Sequence, residues 1–133
     1  MDDREARLLA EYDVIRAVFP TVERLGNWFR LPHDKRAVAH GWGPDPFPVA
    51  FHAQADHPGN APYGIYVSPR TFVRGTSPNN FQGQAGNRPP FAGEWGVLSW
   101  AVEGPWLPKV DVRKGANLLT FLLSFDERYR MGP

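Results

Sequence analysis

Cysteine is absent from all 133 residues. That excludes disulfides, thiolate zinc sites, iron–sulfur clusters and cysteine nucleophiles together. A surplus of charge is also missing: 15 Lys and Arg face 14 Asp and Glu, leaving a net charge of +1. Binding nucleic acid through its phosphates needs a basic excess, so nucleic acid is not an expected partner. No apolar run nears the roughly 18 residues of a membrane span. The opening Met1-Asp2-Asp3-Arg4-Glu5 is acidic and lacks an apolar signal-peptide core. A cytoplasmic protein without membrane contact is therefore expected. The chain is rich in apolar material instead, 42% of residues with 14% aromatic. That is enough for the core of one domain over residues 1–133.

Glycine and proline are scarce at both ends and dense between. Residues 20–108 hold 13 of the 14 prolines and 11 of the 13 glycines. The distribution predicts helix, a turn-rich middle, then helix. Over residues 3–19, Leu8, Tyr12, Ile15 and Phe19 recur at helical spacing, with Leu9, Val14 and Val18 widening the stripe. Asp2 or Asp3 caps this helix and Pro20 ends it. Over residues 115–129, Leu118, Leu119, Leu122, Phe125 and Tyr129 form a second stripe.

Four strands are expected between the helices: Trp28-Phe29-Arg30-Leu31, the alternating residues 47–55, Gly64-Ile65-Tyr66-Val67, and residues 95–102. Residues 71–93 show no period and read as a long irregular loop. The class is α+β: an N-terminal helix on an antiparallel four-stranded meander, a long loop, and a C-terminal helix crossing the same sheet face. Val49, Phe51, Ile65, Val67, Leu118, Leu122 and Phe125 are the expected core.

Residues with chemistry to offer are scattered. His33, His40, His52 and His57 form no close ligand pair of the HExxH kind, and His52 and His57 around Asp56 read first as turn histidines. No metal and no cofactor are expected. Asp2, Asp3 and Glu5 are explained by the helix dipole. Gly41-Trp42-Gly43-Pro44 lacks the lysine of a phosphate-binding loop. Arg70, Arg74 and Arg88, with Asn79, Asn80 and Asn87, could form a ligand surface on the long loop; a solvated loop is the commoner outcome.

Three segments read together have a family pattern. His57-Pro58-Gly59-Asn60-Ala61-Pro62-Tyr63, lying between two predicted strands, resembles the Tyr-Pro-x-x-Pro-Pro signature of ubiquitin-conjugating (E2) domains. Trp95-Gly96-Val97-Leu98-Ser99-Trp100, followed by Glu103-Gly104-Pro105-Trp106-Leu107-Pro108, resembles the E2 stretch in which the catalytic cysteine precedes a Trp-x-Pro element. Asn117-Leu118-Leu119-Thr120-Phe121-Leu122-Leu123 is similar to the helix that follows it. Pro62-Tyr63-Gly64-Ile65-Tyr66-Val67 and Phe91-Ala92-Gly93-Glu94-Trp95 are similar to patterns of the divergent prokaryotic E2 family E. The resemblance spans about residues 5–130 and implies a UBC-like fold without the usual last helices.

The departures from that family are as informative. Without cysteine, no thioester can form. Leu98, eight residues before Trp106, and Ser99, seven before it, both fit the cysteine register. The family's His-Pro-Asn is also absent; Arg88-Pro89-Pro90-Phe91 stands near its place, and Asn87 is the nearby amide for oxyanion support. With Leu98 in the register, the resemblance implies a non-catalytic E2 variant. Its partners would be a ubiquitin-like protein, an E1-like activating enzyme, or an active E2. With Ser99 there, it implies a modifier carried as an oxyester, in need of a base that the nearby sequence does not supply. If residues 97–101 continued as a strand, Ser99 would share the apolar face of Trp95, Val97 and Ala101. Trp95, Trp100 and Trp106 are the expected modifier-binding groove. A different class stays open: a peptide- or ligand-binding module unrelated to ubiquitin, built on Trp28, Trp42, Trp95, Trp100 and Trp106.

Overall fold

The computed structural model describes residues 2–72 and 77–133. Helix α1 spans Asp3–Val18. The Asp2 carboxylate accepts the Glu5 N–H at its start, and the helix closes at Phe19, before Pro20. The face it buries is narrower than its apolar residues predict: Leu8, Glu11 and Ile15 are buried, whereas Leu9 and Val18 are exposed. A single sheet covers only one side of a helix, so the flanks of a wide stripe stay in water.

Among the described residues the sheet has six strands, not the four expected. They are β1 (Glu23–Leu25), β2 (Trp28–Asp34), β3 (Phe47–His52), β4 (Ile65–Val67), β5 (Phe81–Gln82) and β6 (Gly96–Leu98). Every pairing is antiparallel, in the order β1-β2-β3-β4-β6-β5. The two extra strands are short edges. β1 turns into β2 through Gly26, whose φ of 60° suits glycine. β5 lies inside the stretch expected to be an irregular loop, and glycine admits it: a Cβ on Gly96 would stand 2.5 Å from the Gln82 carbonyl oxygen. β6 is shorter than the predicted strand over residues 95–102, and β3 ends at His52 rather than at residue 55.

Period-two geometry sends alternate side chains to opposite faces. Phe29, Leu31, Val49, Phe51, Ile65, Val67 and Leu98 face the helices and join Leu8, Ile15, Leu118, Phe121, Leu122, Phe125 and Tyr129 in one core. All seven expected core residues are among these, each without solvent exposure. On the other face, Ala50, Tyr66, Phe91 and Trp95 form a smaller cluster. The apolar residues of the 83–95 segment thus cover part of the outer sheet.

The C-terminal helix predicted over residues 115–129 is two short ones, α2 (Leu118–Leu123) and α3 (Phe125–Arg130). Asn117 caps α2 through a reciprocal capping box with Thr120. Ser124 marks the break; its hydroxyl donates to the Phe121 carbonyl at 2.5 Å and competes with the helix ladder. Among the described residues no helix is long and apolar enough to cross a membrane.

A buried polar knot ties α3 to β2. The Tyr129 hydroxyl donates to Asp34 at 2.7 Å, and Arg36 holds the same carboxylate through two nitrogens, each at 2.9 Å. Burial, reinforced by the Asp34 charge, holds the Tyr129 hydroxyl well above the usual phenol range. The folded state therefore keeps this proton more tightly than the unfolded chain does. The resulting stability is complete below the unfolded value of about 10 and is lost as pH rises beyond it. Thermal melts should show a falling midpoint above about pH 10, with a shallower slope in Tyr129→Phe. An equal slope in that variant would assign the alkaline loss to other groups.

Candidate functional site

The region carrying the Leu98, Ser99 and Trp106 motifs begins where β6 stops. Leu98 pairs with Ile65 on one side and Phe81 on the other, and its side chain is fully buried towards the helices. Beyond it the chain leaves the ladder. The Ser99 N–H donates to the Asn80 carbonyl at 2.9 Å, and the Trp100 carbonyl accepts the Gly64 N–H at 2.8 Å. Ser99 is exposed. The condition under which an apolar strand face would bury it is not met, because regular pairing ends one residue earlier. Its hydroxyl has no hydrogen-bond partner among the described residues. Asn87 lies elsewhere, close enough to the Tyr66 hydroxyl on the outer sheet face to favour its charged form. That contact partly offsets the burial that pushes Tyr66 up.

The three tryptophans of the expected groove are not brought together. Trp95 is buried in the outer-face cluster, its indole N–H donating to the Phe91 carbonyl at 3.1 Å. Trp100 and Trp106 pack at the margin of the helix-side core. The Trp100 indole donates to the Ser124 hydroxyl at 3.0 Å, and the Trp106 indole to the Pro58 carbonyl at 2.9 Å. Trp106 thereby joins the two segments that carry the family pattern, the 57–63 turn and the stretch after β6. A groove of about 320 Å³ lies beside it, lined by Val102, Glu103, Pro105 and Trp106 from one segment and by Thr120 of α2, Ser124 at the break and Glu127 of α3 from the other.

A buried charged centre anchors this region, and the sequence reading missed it. Glu11 and His57 are 1% and 3% exposed. Glu11 accepts from Arg7 Nε at 3.0 Å, from His57 Nε2 at 2.5 Å and from the Leu118 N–H at 2.6 Å. Arg7 also donates to the Lys109 carbonyl at 2.6 Å. One carboxylate thus joins α1, the 57–63 turn and the start of α2, while its arginine partner holds the chain at residue 109. The signal was available: position 11 falls on the same face as Leu8 and Ile15, so an acid there must be buried. Once buried, it must be paired.

The remaining candidates have structural partners. His52 packs against Trp28 at 4.5 Å on the outer face, where burial pulls its imidazole below the usual range. Among the described residues no three His, Asp or Glu side chains gather as a metal ion requires. Trp42, from the glycine-rich turn, donates its indole N–H to the Tyr129 carbonyl at 2.8 Å. Arg70 pairs with Glu94, and Arg88 reaches the Gly93 carbonyl at 3.2 Å. The Asn79 carbonyl accepts from Arg128 at 2.8 Å, and Asn80 holds a φ of 59°. Arg74 lies outside the described residues.

Known proteins supply no template for this arrangement: no protein-family model, curated protein or solved structure matches the chain.

Proposed function

We propose that this chain is a cysteine-free, E2-like component of a bacterial ubiquitin-like conjugation pathway. In this reading it binds a ubiquitin-like protein, its E1-like activating enzyme, or both, and forms no covalent link itself. The observation that carries the reading is Leu98. It occupies one of the two positions open to the missing cysteine, and its side chain is fully buried. A buried isobutyl group offers the modifier's carbonyl no nucleophile. The order of helix, antiparallel sheet and C-terminal helices on the same sheet face supports an E2-like scaffold. Contacts of this kind are modest in area and transient. Calorimetry with any ubiquitin-like or E1-like protein encoded beside the gene is expected to give micromolar binding to at least one. Folded protein that binds neither, nor an active E2 from the same neighbourhood, would sink the reading in favour of a ligand-binding module unrelated to ubiquitin.

One observation favours a second reading, in which Ser99 carries the modifier. The end of β6 at Leu98 leaves the Ser99 hydroxyl exposed at the rim of the sheet. Its Oγ would displace the E1 thiolate from the modifier's C-terminal thioester. The products are a serine ester and the E1 thiol, which takes up the hydroxyl proton. Incubation with E1, modifier and ATP tests this. An adduct cleaved by mild base, stable to thiol reductant and absent in Ser99→Ala would establish the ester. No adduct with a demonstrably active E1, or one that persists in Ser99→Ala, excludes Ser99 as the carrier.

A further inference from the structure

We infer that the groove between Trp106 and the α2–α3 break is a docking site for an extended peptide bearing a basic side chain. The argument starts from what the groove leaves unsatisfied. Its two hydroxyls are already used: Thr120 Oγ1 bonds the Asn117 backbone, and Ser124 Oγ lies between the Trp100 indole and the Phe121 carbonyl. Its two carboxylates are not. Neither Glu103 nor Glu127 has an ion pair or hydrogen-bond partner among the described residues, and both are exposed. The two carboxylates come from separate segments, yet they line one groove.

The rest of the lining fits the same occupant. Val102, Pro105 and Trp106 form an apolar wall, and the indole N–H is turned away to the Pro58 carbonyl. The half-buried ring is held by that bond, so little freedom is lost when a ligand covers it. An arginine or lysine lays its aliphatic stem on such a wall and presents its charge to the carboxylates. Arginine suits the pair better, because its planar guanidinium also stacks on indole. The groove is open to solvent rather than enclosed, which favours a stretch of peptide over a small molecule. The site shares Trp106 with the groove expected for a modifier but involves neither Leu98 nor Ser99, so its test can fail without theirs failing.

The experiment is a nitrogen-15 NMR titration of the full chain with an acetylated, amidated hexapeptide alternating alanine and arginine. The same peptide with glutamine, or glutamate, in place of arginine is the control. The arginine peptide is expected to shift the Trp106 indole N–H and the amides of Thr120 and Ser124, and to weaken with added salt. Glu103→Gln/Glu127→Gln should weaken it by about tenfold at an unchanged melting temperature, because both carboxylates are exposed and unpaired. Each single variant gives the same readout, in smaller measure, should the double one fold poorly. Several results would overturn the site: shifts located elsewhere, no shifts at millimolar peptide, equal binding of the glutamine or glutamate peptide, or undiminished affinity in the variants.

Discussion

Replacing Glu11 with alanine is expected to remove about 3–5 kcal/mol of folding stability, the range for breaking a buried ionic centre from one side. The carboxylate is 1% exposed and takes three donors, from Arg7, His57 and the Leu118 backbone. Its loss strands all three. The Leu118 N–H then lies buried without an acceptor, and two basic side chains lose their counter-group. Glu11→Gln keeps an oxygen for one of these donors and should lose less. Urea denaturation at neutral pH measures both, and a loss under about 1 kcal/mol for the alanine variant would show that the centre is dispensable.

Truncating Phe51 to alanine should cost a similar amount, about 3–5 kcal/mol, by a different route. Its ring stacks on Phe29 with centroids 5.3 Å apart and meets Phe121 and Phe125 at 5.7 and 5.9 Å. It therefore bridges the sheet and α2–α3 at the middle of the core. No polar group is orphaned here; the loss is apolar transfer plus an incompletely collapsed cavity. Val110→Ala, at a fully exposed position, serves as the comparison and should stay within about 0.5 kcal/mol of the parent. Equal midpoints for the two variants in urea would contradict the core assignment.

The parts of this fold that were legible in the sequence are those in which burial imposes a period. Phe47, Val49 and Phe51 alternate because one face of β3 is dry, and Leu118, Leu122 and Phe125 recur because one side of the C-terminal helices is. β1 and β5 left no such trace. Three residues of Glu-Arg-Leu and two of Phe-Gln are too short to show a period, and their pairing depends on neighbours distant in the chain. The break at Ser124 was hidden as well, since the apolar spacing runs through it and only the hydroxyl's bond to Phe121 interrupts the helix.

The candidate site was legible unevenly. The exposure of Ser99 follows from where β6 stops, and that is set by Phe81 and Ile65 rather than by the residues around Ser99. Trp95 was grouped with Trp100 and Trp106 on motif alone, but the end of the sheet divides them between its two faces. Glu11 could have been flagged by its place on the apolar stripe. Its partner His57 is 46 residues away, and sequence spacing carries no information about that pairing.

The placement of α2 and α3 bears on how the chain acquires its structure during synthesis. Every strand precedes Leu118, while Leu118, Phe121, Leu122, Phe125 and Tyr129 supply the layer that covers the sheet. A nascent chain that has emerged only as far as β6 can pair its strands and dock α1, but the part of the sheet that α2 and α3 cover, Phe51 included, still lacks its partners. The Leu118 N–H reaches Glu11 across 107 residues of chain, so this joint forms late and confers nothing on earlier intermediates. Contacts of such long sequence separation slow folding and prolong the life of sticky, half-covered states. The interval between emergence of β6 and arrival of α3 is thus when this protein depends most on a chaperone, or on a low concentration of its own unfinished copies.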